Sequence, residues 1–89
     1  MLRITRTDQP GDLVSLRVEG RIVGAAVETL ERECRPLLGQ ESGVRLDLAG
    51  VGLVDQAGLA ALRALRRAGF LIEGCSPLLQ EVLDDGDPR

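Results

Sequence analysis

Val44-Arg45-Leu46-Asp47-Leu48-Ala49-Gly50-Val51-Gly52-Leu53-Val54-Asp55-Gln56-Ala57-Gly58-Leu59-Ala60-Ala61-Leu62 is the stretch that decides the fold. Its first five residues alternate Val44, Leu46 and Leu48 with Arg45 and Asp47, the period of a strand with one buried face. Gly50 and Gly52 then bracket a crossing into Leu53-Val54-Asp55, and an alanine-rich apolar helix follows. The spacing predicts that helix from about Gln56 to Ala68, with Leu59, Leu62 and Leu65 inward, Arg63, Arg66 and Arg67 outward, and Gly69 as its stop. Strand, crossing and helix in this order make a unit of an α/β fold.

The flanks extend that unit. On the N-terminal side Leu2-Arg3-Ile4-Thr5-Arg6 alternates, Gln9-Pro10-Gly11-Asp12 signals a turn, and Val14, Leu16 and Val18 alternate again, which reads as a hairpin. Gly20 to Gly24 breaks the period. From Ala25, apolar residues recur at Val27, Leu30, Cys34 and Leu37, one face of a helix whose wet side carries Glu28, Glu31, Arg32 and Arg35. Pro36 ends or bends it near Arg35, and Gly39 to Gly43 supplies the turn before Val44. On the C-terminal side Phe70-Leu71-Ile72-Glu73 is a short strand. Ser76-Pro77 opens a last helix, with the serine placed to cap and the proline at the first helical position. Leu79, Val82 and Leu83 give that helix its buried side. The prediction is an α/β fold, a mixed four-stranded β-sheet with about three helices packed against it. One domain spans residues 1–84, and residues 85–89 form a short acidic tail.

Composition narrows the function. Eighty-nine residues allow one modest core, and that core is aliphatic, because Phe70 is the only aromatic residue. No aromatic platform exists for stacking bases or sugars. A net charge of −3, with acidic residues gathered at Asp84, Asp85 and Asp87, argues against nucleic acid as a partner. No segment approaches the roughly 18 apolar residues of a membrane span, so the reading is a cytoplasmic protein without membrane insertion. Two cysteines without a single histidine cannot build the usual zinc sites, so no metal is expected, and Cys34 and Cys75 read as free, buried thiols. No cofactor is expected either.

The ordered set Gly20-Arg21-Ile22, Asp47, Asp55, Gly58, Leu59, Gly74 and Ser76-Pro77 resembles the STAS family, the bacterial anti-sigma-factor antagonists and their relatives. The likeness runs from Leu2 to Leu83. In that family a strand ends in an Asp-Ser-Ser-Gly-Leu type motif, and the hydroxyl residue just before the motif glycine is the one phosphorylated. That position is Ala57 here. A methyl group takes no phosphate, and Gln56 offers an amide, so phosphorylation is expected at neither and the charge switch of about −2 is lost.

The resemblance implies a non-catalytic module that binds a protein partner through Asp55, Gln56, Ala57, Gly58, Leu59 and Arg63. The residues themselves admit plainer roles. Asp55 can cap the helix and complement its dipole, or meet a partner at the exposed N–H groups of the first turn. Gly58 costs about 1 kcal/mol against alanine in a helix and so marks a close approach, by a neighbouring strand or by a partner. Asp47 fits a structural pairing with Arg45 or another cation, and the Arg63, Arg66, Arg67 stripe fits solvation or an acidic partner. Two partners suit the resemblance: a kinase-like anti-sigma factor, or the ATPase of an ABC-type lipid transporter with this chain as accessory subunit. An enzyme is the weakest class. There is no histidine, Ser76 in Cys75-Ser76-Pro77 is explained as a cap, and the chain has neither a Gly-x-x-x-x-Gly-Lys loop nor any lysine.

Overall fold

The computed structural model describes residues 2–8, 14–39 and 43–85. Its elements run β1 (Leu2–Asp8), β2 (Val14–Ile22), α1 (Ala25–Cys34), a 3-10 turn (Arg35–Leu37), β3 (Val44–Val54), α2 (Gln56–Arg67), β4 (Leu71–Glu73) and α3 (Pro77–Asp85). The sheet order is β1-β2-β3-β4, antiparallel in its first pair and parallel in the other two. This is the mixed four-stranded sheet with three helices that the sequence predicts. The turn at Gln9-Pro10-Gly11-Asp12, residues 40–42 and the tail beyond Asp85 lie outside the described residues.

Period-two burial on the central strands decides where the helices go. Val14, Leu16 and Val18 of β2 and Val44, Leu46 and Leu48 of β3 are all buried, so one face of the sheet is continuous apolar surface. Val27, Leu30 and Cys34 of α1, Leu62 and Leu65 of α2 and Leu83 of α3 close over it, and Phe70 is buried at the entry to β4. The alternate residues lie on the sheet's other face. There Thr5, Arg17, Asp47 and Glu73 line up across all four strands, and Arg45 Nε lies 3.0 Å from Glu73 Oε1. Arg45 therefore pairs with Glu73. Asp47 instead accepts the Ala49 N–H on Oδ1 at 3.0 Å.

Two strands are longer than the glycine pattern suggests. β2 continues through Gly20 to Ile22, and β3 runs unbroken across Gly50 and Gly52 to Val54. The cause is parallel pairing with two register shifts, between Arg17 and Glu19 and between Gly20 and Arg21, each placing an extra residue on β3. Gly50 sits where a Cβ would come within 2.8 Å of Glu19 Cγ, so it lets the bulged strands approach. These bulges carry the ends of β2 and β3 to the start of α2.

Candidate functional site

The start of α2 is pinned from two sides by one carboxylate. Asp55 is the N-cap, with φ −88° and ψ −177°, and its Oδ1 accepts the Gly58 N–H at 2.8 Å. Its Oδ2 accepts the Gly24 N–H at 2.9 Å, which ties the loop before α1 to the helix start. The Asp55 N–H in turn donates to Ile22 O at 3.2 Å. The Gly24 N–H first and the Gly58 N–H second hold the Asp55 carboxyl below its ordinary pKa. Capping is therefore realised at Asp55, with a second bond across the fold that the local sequence does not announce.

Gly58 is buried, and the close approach it marks is to the sheet. A Cβ there would stand 2.5 Å from Ile22 O and 2.8 Å from Val54 Cγ1. Leu59 is half-buried, whereas Gln56 and Ala57 are exposed. The outer face of α2 is completed by exposed Ala60, Ala64 and Arg67. Its middle is lined by alanines, and Arg67 puts a charge at its C-terminal end.

The outward stripe of three arginines needs correcting, because only Arg67 points to solvent. Arg63 and Arg66 are half-buried and turn toward α3. Arg63 Nη2 donates to Val82 O at 3.1 Å and Arg66 Nη2 to Leu83 O at 3.1 Å, while Arg66 Nη1 pairs with Asp84 Oδ1 at 2.8 Å. Helical spacing puts Arg63 and Arg66 on one face but says nothing of what covers it. Ser76 caps α3 as expected, accepting the Leu79 N–H on Oγ at 3.2 Å.

Beside Leu59, between the end of β3 and α3, lies an apolar groove of about 220 Å³. Leu53 and Leu78 line it while 54% and 70% exposed, which sequence patterning did not reveal. Among the described residues no group of three His, Cys, Asp or Glu side chains could hold a metal ion, and no helix is long and apolar enough to cross a membrane. Cys34 and Cys75 are both free thiols; Cys34 is buried and Cys75 half-buried.

A family model described as "Mlab, STAS domain" matches residues 5–84. The chain belongs to the STAS family. Solved structures agree with this STAS fold. The anti-sigma factor antagonist SpoIIAA in its unphosphorylated form superposes with a TM-score of 0.73 at 16% identity, over 94% of this chain and 84% of that one. An anti-sigma factor antagonist from Mycobacterium paratuberculosis gives 0.75 at 20% identity, over 99% and 84%. No curated protein matches the chain. In this STAS domain the start of α2 is thus stapled by Asp55 and followed by an exposed face lined by Ala57, Ala60 and Ala64.

Proposed function

We propose that this STAS domain is a non-catalytic regulatory module of the bacterial cytoplasm that docks a protein partner through the start and outer face of α2. One observation carries the reading. Ala57, Ala60 and Ala64 make an exposed face with short side chains, flanked by Gln56 and Arg67, on a helix whose start is tied down by Asp55 and seated on the sheet by Gly58. Short side chains lose little entropy on binding and let a partner approach closely. Asp55 and Gly58 serve by position, and Arg63 steadies α3 beside the contact surface. Ala57 removes the phosphoacceptor, so binding is set by supply or by the partner.

The favoured partner resembles the anti-sigma factors that the structural neighbours antagonise. The alternative, an accessory subunit of an ABC-type lipid transporter, is favoured by Ala57 and by a family model whose description does not name an antagonist. Affinity purification from the native cell separates them. Wild-type bait should recover one partner at fixed stoichiometry, Ala60→Arg should lose it, and Arg3→Ala on the far face of the sheet should keep it. A kinase-like protein supports the first reading and a transporter ATPase the second. Equal recovery by wild type and Ala60→Arg, with Ala60→Arg still folded, would sink docking through α2.

A further inference from the structure

The second helix holds the third by its C-terminal end. A helix leaves its last four carbonyls without intrahelical donors, and those of Val82 and Leu83 are satisfied by the Arg63 and Arg66 guanidiniums. These cations also complement the negative end of the α3 dipole, where Asp84 alone would be unfavourable. The apolar attachment is thin. Leu83 is buried, Leu79 and Val82 are half-buried, Leu78 is mostly exposed, and the groove of about 220 Å³ separates α3 from the end of β3. A nine-residue helix does not persist in water without such anchoring.

We propose that α3 is a strap latched to α2 by Arg63 and Arg66, and that a carboxylate presented to these arginines unlatches it. Arg63 donates to the neutral Val82 carbonyl, so an incoming carboxylate, which adds ionic attraction to the hydrogen bond, is the stronger acceptor there, and at Arg66 it competes with the Asp84 carboxylate already in place. The latch stands on the geometry alone. That a partner would supply the carboxylate rests on docking through α2.

The chain carries its own reporter. Cys75 lies in the joint between β4 and α3, and burial pushes its thiol up, while Arg66 pulls it down and Asp84 pushes it up. Cys34 is closed inside the core and serves as the control. Alkylation by N-ethylmaleimide, read by mass spectrometry alongside hydrogen exchange, tests the latch on the free domain. In Arg66→Met, Cys75 labelling and α3 amide exchange should both rise tenfold or more, with Cys34 and the β2 and β3 amides unchanged. Losing the Arg66 charge without opening would raise the thiol pKa and slow labelling, so the sign separates opening from electrostatics. Slower or unchanged labelling overturns the latch.

Should Arg66→Met unfold globally, Cys34 would label in step with Cys75. Arg63→Met then decides the matter, since Arg63 is not among the charges felt by Cys75. It should speed Cys75 labelling at least threefold, and no increase overturns the latch. A hexaglutamate peptide at millimolar concentration and low salt should accelerate Cys75 labelling in the wild type, with hexaglutamine inert. Equal effects of the two peptides overturn the carboxylate trigger. None of these measurements uses a partner, so failure of α2 docking and failure of the latch are separately visible.

Discussion

At the scale of single residues, Asp55 and Gly58 show how a helix start is fixed in place. Gly58→Ala removes a poor helix former, which by propensity alone would gain about 1 kcal/mol. The added methyl would meet the Ile22 carbonyl at 2.5 Å and Val54 at 2.8 Å, and backbone cannot step aside cheaply. The expected outcome is a loss of about 1–3 kcal/mol in urea unfolding, the usual cost of overpacking. Asp55 sets an acid limit. Its pKa in the fold lies below the unfolded value of about 3.9, because the Gly24 and Gly58 N–H groups bind the ionised form. Its contribution is therefore complete above the unfolded value and is lost as pH falls through the folded one. Asp84, lowered by its bond from Arg66, acts in the same direction. Thermal melts should show little change from pH 7 to about 5 and a fall below about 4. Asp55→Asn should be less stable at pH 7 and lose less on acidification, because the amide takes up no proton there.

At the scale of elements, the sequence was legible wherever one residue's neighbours along the chain decide its place. The period-two runs of β2 and β3, the three-and-four spacing of α1 and the Ser76-Pro77 opening of α3 all have local causes, and the structure contains them. Gly50 and Gly52 misled because a glycine pair reads as a crossing out of the strand, while in a parallel pair with register shifts it admits a bulge and the strand goes on. Arg63 and Arg66 misled for a different reason. Amphipathicity assigns them to water, but α3 covers that side with carbonyls that need donors, 19 positions on from Arg63 and 17 from Arg66. The Asp55 to Gly24 bond spans 31 positions and is equally invisible to local spacing. Ser76 allows a test at this scale. Ser76→Ala removes the side-chain acceptor for the Leu79 N–H and should cost α3 about 1 kcal/mol. That corresponds to roughly fivefold faster amide exchange in α3, with α1 and the sheet unchanged; a uniform increase across the domain would show that α3 opens only with everything else.

At the scale of the whole molecule, one sheet face, α1 and α2 share a single, mainly aliphatic core, so opening it should be all or none, with α3 the element that can leave before it. For 89 residues the stability expected is about 4–13 kcal/mol. Truncating a fully buried strand residue samples this directly. Leu46→Ala should cost about 2–5 kcal/mol, as large-to-small changes do where the surroundings cannot collapse. Cys34 gives a second, independent gauge. It has no exposed surface on α1, and burial first, with Glu33 adding to it, pushes its thiol up to about 12. A thiol held protonated and covered reacts only after the surroundings open, because the thiolate is the nucleophile. The free energy drawn from Cys34 labelling at low reagent concentration should then equal that from urea unfolding, and Leu46→Ala should lower both by the same amount. A Cys34 value clearly below the urea value would mean that α1 detaches while the sheet stays formed. That would place a second cooperative boundary inside the domain, between α1 and the strands it covers.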